Sequence, residues 1–114
     1  MTGPEATIEQ YLKESVEGAE GMCIKIKSSG VRGVPDRVVI LNGLTVFVEL
    51  KAESGNVSRH QQRTFTAITA AGGFVFLLDS KDRVDDFMTF MLQDVDEAPA
   101  RLILPDYMTR TLDS

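Results

Sequence analysis

Residues 33–51 constrain the fold more than any other stretch, because they encode a β-hairpin with charged residues at its open end. The dipeptide Asn42-Gly43 lies between two apolar runs, and both residues tolerate the positive φ angles of a two-residue type I′ turn. If these two residues form the whole loop, Asp36 lies directly opposite Glu49 in a non-hydrogen-bonded pair. Side chains approach more closely in that class of pair.

Two carboxylates that face each other need something to offset their repulsion. Like charges opposite one another destabilise a sheet by up to about 1 kcal/mol, and a divalent cation bound by Asp36 and Glu49 removes that cost. Two hard oxygen donors suit Mg²⁺ or Mn²⁺. Because strand side chains alternate, Lys51 points to the same face as Glu49. The alternative is a surface strand pair with scattered charges, which the apolar flanking residues disfavour.

The rest of the chain predicts an α/β domain with a small mixed β-sheet flanked by helices. Both faces of the hairpin are mostly apolar, so helices are expected on each side of the sheet. The predicted order is α-β-β-β-α-β-α. Its elements are a helix over 5 to about 17, strands over 22–27, 36–41 and 44–52, a helix from Ser58, a strand over 74–78, and a helix capped by Asp79 or Ser80 that runs to about Leu92.

Two of the helices carry sequence signals for their first turn. Thr2 with Glu5, and Ser58 with Gln61, have the spacing of a capping box, in which each side chain bonds the other residue's backbone N–H. Glu5 also lies on the apolar stripe of its helix and so can point inward over the sheet edge. The capping and inward roles of Glu5 are not exclusive.

Composition places limits on the class of protein. The 114 residues suit one domain. The single cysteine, Cys23, excludes an internal disulfide and a cysteine-based zinc site. No run of 18 apolar residues is present, so no membrane span is expected, and the first residues lack the pattern of a secretory signal. These features predict an intracellular, cytoplasmic protein.

The charge distribution favours a nucleic-acid partner in spite of a net charge of −5. Residues 25–63 contain seven Lys or Arg and three Asp or Glu, a net charge of +4, whereas the remainder has a net charge of −9. A positive region that coincides with the hairpin can meet a phosphate backbone; the alternative is chance clustering. The residues predicted to contact DNA are Lys27, Arg32, Gly33, Arg59 and Arg63.

The motif as a whole resembles known nucleases. Pro35-Asp36 followed by Glu49-Leu50-Lys51 resembles the PD…ExK core of restriction-endonuclease-like nucleases. Residues 30–36 (Gly-Val-Arg-Gly-Val-Pro-Asp), together with residues 58–61, resemble the VRR-NUC (virus-type replication-repair nuclease) family of bacteria and phages, over about residues 5 to 90. The resemblance implies a restriction-endonuclease-like fold and metal-dependent hydrolysis of DNA, inside a bacterial or phage-infected cell.

The resemblance also implies roles for individual residues. The backbone carbonyl of Leu50 would join Asp36 and Glu49 as a metal ligand, with Glu5 as a further carboxylate near the metal. Lys51 would orient the attacking water or stabilise charge on the phosphate. Gln61 matches the family's glutamine, which suggests contact with the lysine, water or DNA; helix capping is the alternative. Resemblance to junction resolvases implies a homodimer that acts on junctions or branched DNA in replication, repair or recombination.

The sequence predicts that the chain divides into a domain and a C-terminal segment, and it leaves three functions to compare. Residues 1–94 are expected to form the nuclease domain, and the apolar residues Leu102, Ile103 and Leu104 predict that the segment 95–114 packs on the domain or on a partner subunit. The alternatives to a nuclease are a catalytically silent nucleic-acid-binding module and a protein-interaction domain. Retention of Asp36, Glu49 and Lys51 argues against a decayed copy.

Overall fold

The computed structural model describes residues 3–28, 30–52 and 55–93, and it confirms the predicted order of elements. The strands are shorter than predicted at their ends, since the first ends at Lys25 and the third at Leu50. The elements are α1 (Pro4–Gly18), β1 (Met22–Lys25), β2 (Arg37–Leu41), β3 (Leu44–Leu50), α2 (Arg59–Ala70), β4 (Val75–Leu78) and α3 (Lys81–Met91).

The four strands form one mixed sheet in the order β1-β2-β3-β4. The first three pair antiparallel, and β4 pairs parallel to β3 after the crossover through α2. The hairpin register is the predicted one, with Leu41 opposite Leu44 and Arg37 opposite Val48. The turn residues Asn42 and Gly43 have φ angles of 53° and 80°, as a type I′ turn requires.

The main core lies on one face of the sheet, beneath α1 and α3. Val39, Val46 and Val48 are buried there at the centre of the hairpin, and Leu12 of α1 and Phe87 of α3 pack in the same cluster. The apolar stripes that predicted both helices supply these contacts, because residues three and four apart share one side of a helix. This face is fully covered.

The opposite face also carries a helix, as expected, but that helix, α2, covers it only in part. The buried Phe65 anchors α2 on this side, over β4 and the end of β3. The side chains of Met22, Ile24 and Ile40, on β1 and β2, are 56%, 42% and 38% exposed. We call the surface formed by these three side chains the open face.

The helix starts confirm one predicted capping box and correct the other. Ser58 and Gln61 form a complete capping box at the start of α2, and Ser80 caps α3. The N-cap of α1 is Gly3, with no side-chain cap, so the predicted box between Thr2 and Glu5 is wrong. The helix starts one residue later than that box requires, with Pro4 at its first position, where the missing N–H has no intrahelical acceptor in any case.

Two further expectations concern a membrane span and the packing of the segment 95–114. Within 3–28, 30–52 and 55–93, no helix has the length and apolar character needed to cross a membrane. The predicted packing of the segment 95–114 lies outside these residues.

Candidate active site

The two carboxylates of the hairpin lie together at the open end of the strand pair. Asp36 comes directly before β2, and the register that pairs Arg37 with Val48 brings it to Glu49 near the end of β3. The Oδ2 atom of Asp36 accepts a hydrogen bond of 3.0 Å from the backbone N–H of Leu50. Glu49 is only 2% exposed, and its Oε1 atom has no hydrogen-bond partner in the described structure.

Burial and mutual repulsion disfavour the charged forms of both carboxylates. Burial raises the pKa of Glu49 to about 7, and the negative charge of Asp36 adds to this increase. Burial also raises the pKa of Asp36, against the opposing effect of the Leu50 N–H. Carboxylates whose pKa values are raised by burial and by each other's charge are candidates for a functional site.

Lys51 and Gln61 both reach the same oxygen of Glu49. The Nζ atom of Lys51 is 3.5 Å from Glu49 Oε2, and Gln61 Nε2 donates a hydrogen bond of 2.7 Å to that oxygen. The other end of the Gln61 amide, Oε1, accepts from the backbone N–H of Ser58 at 2.9 Å. One end of the Gln61 amide therefore completes the predicted capping box and the other end contacts Glu49, while contact with the lysine, water or DNA stays a prediction.

Glu5 lies at the edge of the carboxylate pair. Its Oε1 atom accepts a hydrogen bond of 3.2 Å from the backbone N–H of Ala52, the residue after Lys51. Its charge contributes to the raised pKa of Asp36, after burial and the charge of Glu9. In the described ranges no three His, Cys, Asp or Glu side chains group closely enough to hold a metal, so the role of Glu5 as a ligand stays a prediction.

A pocket of about 580 Å³ opens beside Lys51 and Gln61. Arg32 and Gly33 line it, as do Ser28 and His60, which sequence reasoning did not assign to the site. No sequence pattern distinguished these two residues, because their position in the pocket depends on how the loop before β2 packs against α2. The other predicted DNA-contact residues, Lys27, Arg59 and Arg63, are exposed and are not part of the lining.

The loop that lines this pocket is held against the start of α2. The Thr64 hydroxyl donates a hydrogen bond of 2.5 Å to the carbonyl oxygen of Arg32. Gly33 has a φ of 78°, and a Cβ atom there would clash with the His60 carbonyl and lie 2.6 Å from the Gln61 nitrogen. Only glycine allows this close approach, so the loop before β2 packs directly against the first turns of α2.

A buried ion pair behind Asp36 was not anticipated from the sequence. Arg37 Nε lies 2.8 Å from Glu9 Oε2, and Arg37 Nη1 donates to the carbonyl oxygen of Cys23 at 3.2 Å. These contacts fix α1 and β1 to the residue that follows Asp36. The available signal was weak: Glu9 lies beside the apolar stripe of α1, one turn after Glu5.

The chemistry of the donor set fits a divalent cation. The unpartnered, buried Oε1 atom of Glu49 and the adjacent Asp36 give hard oxygen donors whose repulsion a cation would relieve. Lys51 supplies one positive charge to a cluster that holds two carboxylates. Buried carboxylates without enough compensating charge are costly, and bound metal would supply the missing charge.

The fold and the site together define a class of protein. A small mixed sheet flanked by helices, with Asp36, Glu49 and Lys51 at one end of its central hairpin, is a restriction-endonuclease-like α/β fold. A solved structure described as "VRR_NUC domain" has a TM-score of 0.71 and is 32% identical; the match covers 77% of this chain and 97% of that one.

A sequence relative points to the same family. "Putative nuclease p44" of Acyrthosiphon pisum secondary endosymbiont phage 1 is 42% identical over 79 residues, which span 68% of this chain and 85% of the relative. No protein-family model matches the chain. On the strength of the relative and the solved structure, the chain belongs to the VRR-NUC family of nucleases.

Proposed function

We propose that this protein is a metal-dependent nuclease that hydrolyses phosphodiester bonds in DNA. The observation that carries the proposal is the buried pair of Asp36 and Glu49, with Lys51 on the same side and a polar pocket next to it. Relatives described as a nuclease and as a VRR_NUC domain support it. A solvated surface ribbon would not bury Glu49 to 2% exposure.

Asp36, Glu49 and the carbonyl oxygen of Leu50 would hold Mg²⁺ or Mn²⁺, with Glu5 as a further carboxylate nearby. When bound, the metal supplies Lewis acidity to a phosphoryl oxygen and a lowered pKa to a bound water. The protein's own contribution is to hold the two carboxylates side by side, although burial and mutual repulsion raise both pKa values and disfavour ionisation of both groups in the fold without metal.

Lys51 and Gln61 would act on the substrate side of the site. Both line the pocket, so the ammonium of Lys51 can stabilise negative charge that develops on the phosphate. Gln61 holds one oxygen of Glu49 through its amide nitrogen, which leaves the other oxygen free for a cation. A role of Gln61 in contacting water or DNA is part of the same proposal.

The pocket and the positive charge around it would bind the DNA backbone. Arg32 and Gly33 line the pocket, and Lys27, Arg59 and Arg63 would extend the contact outside it. The domain is small compared with a branched DNA, so we include in the proposal a homodimer that acts on junctions or branched DNA in replication, repair or recombination. DNA as substrate places this activity inside the bacterial or phage-infected cell.

A panel of end-labelled DNAs tests the substrate side of the proposal. Single-stranded, duplex, flap and four-way-junction DNAs are incubated with the purified protein in Mg²⁺, Mn²⁺ or EDTA. We expect cleavage in either metal, none in EDTA, and a preference for the branched substrates. Binding to these DNAs with no cleavage in any metal would instead identify a catalytically silent binding module. A substrate preference for plain duplex would contradict the branched-DNA part alone.

A further inference from the structure

The open face is an apolar surface that no described element covers. In the sheet register Met22 lies opposite Ile40, and Ile24 lies opposite the half-buried Val38 on the same side. Cross-strand neighbours of this kind are in direct contact, so the exposed side chains form one continuous patch rather than isolated positions. The patch lies on edge strand β1 and its neighbour β2.

The described chain ends beside this patch. The amide nitrogen of Asn42 donates to the carbonyl oxygens of Met91 and Gln93, at 3.0 and 2.9 Å. These bonds hold the end of α3 against the hairpin turn, two residues from Ile40. The segment after Gln93 is therefore attached at the turn end of β2, one of the two strands that carry the open face.

The segment 94–114 has the reach and the composition to cover the patch. Its most apolar run is Leu102-Ile103-Leu104. The nine residues that follow Gln93, up to and including Leu102, can span up to about 30 Å. Two neighbouring strands lie only about 5 Å apart, so the run can reach either strand. The solved VRR_NUC domain is matched over 97% of its length by 77% of this chain, so part of this chain has no counterpart in that domain.

We propose that Leu102, Ile103 and Leu104 pack on the open face of the same molecule. The segment would shield Met22, Ile24 and Ile40 from water, and it would protect the edge strand from pairing with other chains. The open face lies outside the carboxylate site. A result against this proposal would therefore not count against the nuclease proposal.

Methionine oxidation in the full-length protein tests the assignment. Met22 is 56% exposed in the described structure, whereas Met91 is fully buried. Hydrogen peroxide treatment followed by mass spectrometry gives the oxidation rate of each. We expect slow oxidation of Met22 in the wild type and fast oxidation in a variant that combines Leu102→Asp, Ile103→Asp and Leu104→Asp. A control with Thr109→Asp and Thr111→Asp adds charge to the segment and should keep Met22 protected.

Each alternative occupant gives a different result. Fast oxidation of Met22 in the wild type would mean that nothing covers the face, and protection that falls on dilution would mean that a second copy covers it. Protection that is unchanged in the triple variant would exclude the apolar run. All three outcomes overturn the proposal. Slow oxidation of Met91 in every variant shows that the fold is intact.

A second measurement observes the segment itself, in case the triple variant does not fold. Trypsin cleavage after Arg101 should be slow in the wild type and faster when Ile24→Asp places a charge on the open face. The control Val31→Asp changes a side chain that is 57% exposed outside the face and should leave cleavage at Arg101 unchanged. Equal cleavage rates in the wild type and Ile24→Asp would overturn the proposal.

Discussion

At the scale of single residues, the proposed chemistry depends most on Glu49, because one of its carboxylate oxygens has partners and the other has none among the described residues. The sequence predicted that Asp36 and Glu49 share a face, because turn chemistry and the two-residue strand period fix the register. It could not predict that Glu49 is almost fully buried, because burial depends on where α2 packs. The raised pKa of Glu49 follows from that packing.

The metal-free fold should lose stability as the pH rises. The pKa of Glu49 is raised from 4.5 to about 7 in the folded state, so the folded protein binds a proton that the unfolded chain releases. The resulting stabilisation is complete below pH 4.5 and is lost as the pH rises through about 7. Melting temperatures in EDTA between about pH 4 and pH 8 measure this. Glu49→Gln should flatten the slope; identical slopes for both proteins would contradict the assignment.

Neutralising Asp36 should stabilise the metal-free protein. In Asp36→Asn the side-chain oxygen can still accept from the Leu50 N–H, while the repulsion with Glu49 is removed. The variant should melt higher than wild type in EDTA and gain less from Mn²⁺. Metal at a hundredfold excess over Kd adds about 2.7 kcal/mol to the wild type, and each kcal/mol moves the melting point by about 4–8 °C.

Thermal melts of both proteins in EDTA and in millimolar Mn²⁺ give the comparison directly. A wild-type melt that Mn²⁺ leaves unchanged, with Asp36→Asn no more stable in EDTA, would mean that the two carboxylates do not act as a pair.

At the scale of secondary-structure elements, the start of α2 connects helix capping to the active site. Ser58→Ala removes the Ser58 side-chain bond to the Gln61 N–H and should destabilise the protein by about 1 kcal/mol. Because Gln61 also holds Glu49, DNA cleavage should fall as well. Ser80→Ala removes the same kind of cap from α3, with a similar expected cost in stability and little effect on cleavage. Equal cleavage by the two variants would contradict the connection.

The packing of the loop before β2 against α2 gives a second prediction at this scale. Gly33→Ala places a Cβ against the backbone of His60 and Gln61 and requires a positive φ of an alanine. We expect the loop that lines the pocket to shift. DNA binding and cleavage should therefore weaken, and the melting point should fall. Gly72→Ala is the matched control, because Gly72 also has a positive φ, a Cβ there meets no atom within 4 Å, and the residue lies beyond the far end of α2, outside the pocket lining. DNA-binding titrations of both variants measure the effect, and equal affinities would exclude the docked loop from the DNA surface.

Element boundaries illustrate what local sequence can and cannot specify. The turn at Asn42-Gly43 and the box at Ser58 are local, and both are confirmed. The box predicted at Thr2 had the same spacing, yet α1 begins after Gly3, and the Glu5 side chain instead accepts from the backbone N–H of Ala52, two residues after the end of β3. A tertiary contact replaced the local one, and spacing alone carries no information about such contacts.

At the scale of the whole molecule, the order and pairing of the elements were predictable, but the coverage of the sheet was not. Apolar residues on both faces of the hairpin indicated helices on each side, and α2 covers only part of its face. The ion pair of Glu9 with Arg37 also escaped prediction, since it joins a helix to a strand 28 residues later. Both features depend on how the elements pack, which periodicity does not encode.

Assembly is a further prediction at this scale. We expect a homodimer in solution, because one small domain offers little surface to a branched DNA and two copies would present one site to each of two strands. Light scattering at tens of micromolar protein measures the mass. A mass of a single chain, 12.6 kDa, for the free protein, together with a complex mass that corresponds to one chain per DNA junction, would contradict the prediction.

The most direct test of the central claim is DNA cleavage by wild type and by Asp36→Ala, Glu49→Ala and Lys51→Ala, each purified in the same way and assayed across a Mn²⁺ titration. Far-ultraviolet circular dichroism confirms that each variant is folded, and Gly72→Ala, which lies outside the pocket lining, serves as an active control. The site geometry predicts that wild type and control cleave only with metal and that all three variants are inactive at every concentration. Full cleavage by Glu49→Ala, in a preparation free of host nuclease, would contradict the catalytic assignment.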